Sequence, residues 1–138
     1  MRVVEVVIEV PKGSFVKREL GRGVEYISPI PCPFNYGCVP DELAEDGDPA
    51  DALVLGPRIA AGVRVTTTAW LRVRFIDDGA VDDKLVCSAT PPNERERAQV
   101  ERFFAVYAIA RTALNRLRGR GAARSLGIAP VTGTAGTG

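Results

Sequence analysis

The chain has 138 residues, 46% hydrophobic and 25% charged, with 18 basic against 17 acidic side chains, a formal net charge of +1 and no histidine. Such a length and composition describe one soluble domain able to bury a core without disulfides or structural metal, with no apolar run near the ~20 residues of a membrane span. Near-neutrality argues against an obligate nucleic-acid binder, and the missing histidine removes every Ser–His or Cys–His mechanism and any zinc set for Cys32, Cys38 and Cys87, so acid–base or metal chemistry falls to carboxylates.

Residues 3–10 alternate, with Val4, Val6, Ile8 and Val10 on one face and Glu5 and Glu9 on the other, which predicts a half-buried strand. Glutamates among the valines make the start neither a signal peptide nor a lipid-facing segment, and the cytoplasm is the expected compartment. Phe15 to Leu20 reads as a second strand, with Lys17 and Glu19 on one face, and Gly21 and Gly23 mark a hairpin. The stretch SPIPCPFNYGCVP carries four prolines, which predicts a stiff irregular wall and excludes a central strand. An acidic cluster follows, then a short apolar strand from Ala52 to Leu55. Val63 to Ile76 is the longest strand pattern, with Val63, Val65, Thr67, Ala69, Leu71, Val73 and Phe75 assigned to one face. A second acidic turn, Asp77 to Asp83, leads into a strand from Lys84 to Ser88.

Asn93 followed by Glu96 forms a capping-box pattern, and Val100, Phe103, Phe104, Tyr107, Ala110, Leu114 and Leu117 recur at helical spacing until Gly119. Residues 1–118 are thus expected to form one barrel-plus-helix domain, and 119–138 a loosely structured basic, Gly/Thr-rich tail. The predicted class is mostly β with a peripheral helix (α+β), a small five-stranded OB-like barrel.

All eight aspartates lie between Asp41 and Asp83, while from Arg102 onward there are six arginines and no acid. In Glu45-Asp46-Gly47-Asp48-Pro49-Ala50-Asp51, three aspartates fall within six positions, and Gly47 and Pro49 bend the backbone so that several carboxylates can point at one spot. Such a turn suits a hard, oxygen-seeking cation, or is simply a solvated surface turn. An EF-hand loop is excluded, because the twelfth position from Asp46 is Pro57. Asp77, Asp78, Asp82 and Asp83 form a second cluster, and alternation puts Asp82 and Lys84 on one side of their strand. A carboxylate beside a cation, near a second carboxylate cluster, is an arrangement that holds metal-bridged phosphates.

These residues, in this order, resemble the soluble (family I) inorganic pyrophosphatases. Asp46-Gly47-Asp48-Pro49-Ala50-Asp51 matches the D-x-D-P-x-D signature. Ile8-Glu9-Val10-Pro11, Lys17-x-Glu19, Pro33-Phe34-Asn35-Tyr36-Gly37, Asp82-Asp83-Lys84-Leu85-Val86 and Phe103-Phe104-Ala105-Val106-Tyr107 extend the likeness over about three quarters of the chain. The resemblance implies a pyrophosphatase-like barrel and Mg²⁺-dependent hydrolysis of pyrophosphate by several ions, with Mn²⁺ as the alternative metal. It implies Asp48 as general base, Asp46, Asp51, Asp77 and Asp82 as metal ligands, Lys17, Lys84, Tyr107 and Tyr36 as substrate contacts, and Glu9 and Glu19 as their polar support. Pyrophosphate is the implied partner, with no nucleic acid or membrane, and the implied assembly is a homo-oligomer, a hexamer ahead of a dimer.

Two positions and one segment depart from the family pattern. Val24 stands where an arginine is usual, Ala108 where a lysine follows the helical tyrosine, and the Lys- and Trp-containing segment after the helix is missing. Arg22 or Arg18 is the expected substitute for the first cation and Arg111 for the second. Such losses leave two alternatives, a catalytically weakened paralogue acting as a binding or assembly subunit and a metal-dependent phosphohydrolase acting on another polyphosphate.

Overall fold

The computed structural model describes residues 1–14, 16–19, 23–27, 30–44 and 47–131, with 16–19 and 23–27 described as backbone only. In chain order the elements are β1 (Arg2–Val10), β2 (Val16–Glu19), β3 (Gly23–Ile27), β4 (Asn35–Leu43), β5 (Pro49–Val54), β6 (Arg64–Asp77), β7 (Ala80–Val81), β8 (Lys84–Ser88), α1 (Glu94–Leu117) and β9 (Ala123–Pro130). Strands β1, β4, β5, β8 and β6 hydrogen-bond in that order, and β1 returns to β6 from Arg2↔Ala69 to Val7↔Arg64, which closes a five-stranded barrel. Closure gives each of these five strands a barrel neighbour on both sides. The β5–β8 pair alone among them is parallel, its crossover supplied by β6 and β7. β2 and β3 form a separate ribbon.

Two cores sit on opposite sides of the barrel wall. Val4, Val6, Ile8, Ala52, Leu85 and Cys87 belong to the cluster inside the barrel. Leu53, Leu71, Val73, Phe75 and Val86 join Val100, Phe104 and Ala108 of the helix on the outside. Strand β6 contributes to both, contrary to the single face assigned from its alternation. The register runs from Ala69↔Cys87 to Leu71↔Val86, two residues against one, so the bulge at Trp70 moves the following odd residues to the helix side. Trp70 fills the kink by donating from Nε1 to Ser88 O at 2.9 Å. A like shift between Ile8 and Val10 puts Val10 opposite Tyr36 and leaves Glu9 only 6% exposed, so the end of β1 is buried rather than half-solvated.

The proline wall is also corrected. From Asn35 onward it is β4, a central strand between β1 and β5. Pro40 is tolerated there because it lies past the last β1 partner, Cys38, and inside the irregular interval between Val39↔Ala50 and Leu43↔Pro49, where no regular ladder bond requires its N–H. β5 likewise begins before the expected Ala52 and takes Asp51 into its pairing. Asn35 is fully buried: its Oδ1 accepts from the Lys12 and Ile59 amides (3.1 and 2.8 Å), while its Nδ2 donates to Val54 O and Pro57 O (3.2 and 2.8 Å).

Helix α1 starts at the predicted capping box, with Glu96 N donating to Asn93 Oδ1 at 2.8 Å and Asn93 N to Glu96 Oε1 at 3.1 Å. Its buried stripe differs from the apolar one beyond Phe104. It runs through Ala108, Arg111 and Asn115, whereas Leu117 is 86% exposed. The expected loose tail from residue 119 is corrected as well. Ala123–Pro130 is a strand paired with the second half of β6, from Asp77↔Ala123 to Leu71↔Pro130. Its alternation is interrupted at the β6 register shift between Val73 and Phe75, so the segment carries no sustained period of two. Residues 132–138 lie outside the described set.

Candidate active site

The sheet register brings the key side chains together. Cys38↔Asp51 and Asp51↔Lys84 place Asp51 and Lys84 side by side on adjacent strands, on the wall that faces the helix. Lys84 lies just after the second acidic turn, whose shape is fixed by backbone contacts. Asp82 N donates to Phe75 O at 2.9 Å, and Asp83 Oδ1 accepts from Phe75 N at 2.9 Å. The Lys84 ammonium stands 2.9 Å from Asp82 Oδ2 and 3.3 Å from Asp51 Oδ2, and its side chain is only 3% exposed. Two carboxylates thus share one buried cation, as the alternation of Asp82 and Lys84 predicts.

An aromatic wall backs this trio. Lys84 Nζ lies 5.5 Å from the Phe75 ring centre, and Phe75 is 5.7 Å from Tyr107, which stacks on Phe103 at 5.8 Å. The spacing of the F-F-x-x-Y run delivers Phe103, Phe104 and Tyr107 to one helix face. Tyr36, on β4, hydrogen-bonds Asp51. Burial first, then the nearby charges of Asp51 and Asp82, hold its phenol well above the ordinary range, so Tyr36 is a hydrogen-bond donor here. Burial also raises the Asp82 carboxyl, an effect opposed by Lys84 and reinforced by Asp51 and Asp77.

The four aspartates of the second turn have separate tasks. Asp77, closing β6, accepts from Arg111 Nε at 3.1 Å and from Asn115 Nδ2 at 2.7 Å. Asp78, with φ of +50°, accepts from Gly121 N at 2.6 Å and ties the turn to the segment after the helix. Asp83 holds the Phe75 backbone and lies 3.9 Å from Arg72. Asp82 takes Lys84. The apolar period does not point to Asn115, since a buried polar side chain adds nothing to it. The signal available was its spacing from Phe104, Ala108 and Arg111, which keeps to one helix face.

Asp48 is exposed at the entry to β5, in a turn closed by Gly47 (φ +86°) and by Ala44 N donating to Asp48 O at 2.8 Å. Asp46 lies outside the described residues, as do the side chains of Lys17, Glu19, Arg18 and Val24 and the whole of Arg22. Among the described residues no group of three or more acidic or sulfur side chains is gathered as a metal cage. Asp51 and Asp82 nevertheless meet at the Lys84 ammonium, and two carboxylates so close together have the oxygen-donor chemistry that a hard divalent ion takes. No helix among the described residues is long and apolar enough to cross a membrane.

Fold and patch together define an OB-like closed-barrel protein with an acidic, lysine-centred site between barrel wall and helix. The particular lineage follows from comparison with known proteins. A model of the inorganic pyrophosphatase family matches residues 6–125. The chain is 37% identical over 102 residues to an inorganic pyrophosphatase of Haemophilus influenzae, a match covering 68% of this chain and 57% of that protein. It is 34% identical over 125 residues to a soluble inorganic pyrophosphatase of Oryza sativa subsp. indica, covering 76% and 58%. Among solved structures, the inorganic pyrophosphatase of Helicobacter pylori superposes with a TM-score of 0.76 at 25% identity, over 94% of this chain and 85% of that one. That of Thermus thermophilus gives 0.75 at 28% identity, over 93% and 82%. The chain belongs to the inorganic pyrophosphatase family. It spans somewhat over half the length of these curated relatives.

Proposed function

We propose that the chain hydrolyses inorganic pyrophosphate to two phosphates with divalent metal ions, Mg²⁺ first and Mn²⁺ as the alternative. The observation that carries this reading is the convergence of Asp51 and Asp82 at the buried Lys84 ammonium, with the Tyr36 hydroxyl on Asp51. In this reading Asp46, Asp51 and Asp82 hold metal, whereas Asp77, the fourth expected ligand, is engaged by Arg111 and Asn115. Bound divalent ions would supply neutralisation of the diphosphate and acidification of water.

The chain's own residues supply the rest. Asp48, exposed at the mouth of the turn, takes the proton from the attacking water. Lys84 and Tyr107 offer a cation and a phenol to the phosphate oxygens, joined by Lys17 and Tyr36, with Glu9 and Glu19 as polar support. Positioning and electrostatics carry such a reaction, because phosphoryl transfer asks little covalent chemistry of the protein. Ala108, 7% exposed in the helix-side core, offers no contact where the family has a lysine, and this favours weaker substrate binding than in relatives that keep it. A cytoplasmic homo-oligomer, a hexamer ahead of a dimer, is the assembly proposed.

The deciding experiment is phosphate release from pyrophosphate with and without Mg²⁺, comparing the chain with Asp48→Asn and Asp51→Asn. Metal-dependent turnover is expected, reduced by about 10²–10⁴-fold in Asp48→Asn and also lost in Asp51→Asn. Absence of turnover above the variants, in folded protein and with several divalent ions, would overturn the reading.

A further inference from the structure

Asp77 is occupied at both oxygens by one helix. Arg111 Nε reaches Oδ2 at 3.1 Å, and Asn115 Nδ2 reaches Oδ1 at 2.7 Å. Arg111 and Asn115 stand four residues apart, one turn along the same helix face, and are 8% and 1% exposed. The amide of Asn115 is held in place by a second bond, Nδ2 to Gly121 O at 3.0 Å. Asp77 itself pairs with Ala123 at the start of β9, so it sits where β6, β9 and α1 meet.

A divalent ion on this carboxylate would lie a few ångströms from the guanidinium. Like charges repel strongly at that distance in a buried site, and arginine cannot relieve the repulsion by losing its proton. The contrast with Lys84 is chemical, because an ammonium is a point charge on a flexible stem, whereas the guanidinium is a rigid planar group, here held to Asp77 through Nε.

We propose that Asp77 in this chain is an anchor for helix α1 rather than a metal ligand, that the Arg111 guanidinium takes the place of a divalent cation there, and that the ion capacity of the patch rests on Asp51, Asp82 and the D-x-D-P-x-D turn. The inference rests on the metal-dependent reading above only for its ion count. Arg111 is thereby a positioning residue, which keeps the helix and its Tyr107 against the lysine-centred site.

The test counts ions on the full chain without substrate, using equilibrium dialysis against Mn²⁺ with free Mn²⁺ read by electron paramagnetic resonance, together with thermal melts in EDTA. Asp77→Asn is expected to bind as many ions as the unaltered chain, Asp82→Asn fewer, and Arg111→Gln one more, since it releases Asp77. In EDTA, Asp77→Asn and Arg111→Gln are each expected to melt several degrees lower, and the double variant no lower than the weaker single. Loss of an ion in Asp77→Asn, equal counts for Arg111→Gln and the unaltered chain, or additive melting losses would overturn the proposal. Where Arg111→Gln does not fold, Arg111→Met, of similar volume, is counted instead. An unaltered chain that binds no Mn²⁺ would refute the metal-dependent reading and the ion substitution together, and the melts would then decide the anchor alone.

Discussion

The ammonium of Lys84 stands 2.9 Å from the carboxylate of Asp82, two positions earlier in the chain, and only 3% of the lysine side chain is exposed. A buried ammonium survives because it is paired, and with Asp51 at 3.3 Å the local charge is one positive against two negative. Lys84→Met should therefore destabilise the metal-free chain, leaving two carboxylates facing each other without a cation. Since Asp82 is 37% exposed, solvent screens part of the loss, and about 2 kcal/mol is expected. Urea unfolding in EDTA measures it, and added Mg²⁺ should restore part of the loss in the variant. No loss in EDTA would show that Lys84 does not neutralise the pair.

Gly37 is fixed by a close approach of strands rather than by backbone conformation. A Cβ at this position would lie 1.9 Å from Val7 O and 2.8 Å from Val7 C, both backbone atoms that cannot turn aside. Gly37→Ala must part β1 from β4 in the closed barrel, at a cost of about 3 kcal/mol. Because Tyr36 and Cys38 flank it, the variant should also weaken Mn²⁺ binding at Asp51, opposite Cys38. Denaturant midpoints and metal titration on one preparation check both effects.

Much of the fold is legible in the sequence where one local rule governs an element. The capping box at Asn93 and Glu96 starts the helix as predicted, and Asp82 and Lys84, two positions apart, meet as their spacing predicts. Legibility fails where tertiary pairing overrides the local rule. Trp70 lets β6 change faces without breaking its apparent alternation, and Pro40 enters a central strand because its neighbours do not need its amide. The same holds for the patch. Asp51 and Asp82 are found by their spacing, but the recruitment of Arg111 and Asn115 to Asp77 depends on where β6 ends against the helix, which no window of sequence contains.

Two thiols are shielded by the cores and one is not. Burial pushes Cys87 up to about 12 and Cys32 up to about 11, from an ordinary value of 9.0. A folded-state pKa above the unfolded value gives stability that is complete below the unfolded value and lost as pH rises through the folded one. Stability should thus hold up to about pH 9 and fall between there and about pH 12. Cys87→Ala should flatten that alkaline limb while lowering stability at neutral pH through the cavity it leaves. In the native chain at pH 8, iodoacetamide should modify Cys38, which is half-buried and in no disulfide, well before the other two. Mass spectrometry of the labelled peptides and unfolding curves across the pH range test the two halves separately.

The segment after the helix should prove indispensable. β9 lies along β6 from Asp77 to Leu71, and Ala123 and Val131 are 5% and 6% exposed. Thr112 of the helix grips Ala123 twice, Oγ1 donating to its carbonyl at 3.1 Å and accepting from its amide at 2.9 Å. At the far end Val131 N donates to Trp70 O at 3.0 Å, and the amino group of Met1 reaches Val131 O at 3.1 Å. Ending the chain after Arg120 would strip one edge of β6, unseat Thr112 and Asn115, and expose apolar surface worth about 3–5 kcal/mol. Since a domain of this size is stable by only about 5–15 kcal/mol, that truncation should unfold or aggregate near physiological temperature. Ending it after Val131 keeps every one of these contacts and should give a chain that melts well above the one ended after Arg120. If both truncations melted like the full chain, the strand would contribute nothing to stability, and the anchoring of Asp77 through Arg111 and Asn115 would have to be independent of it.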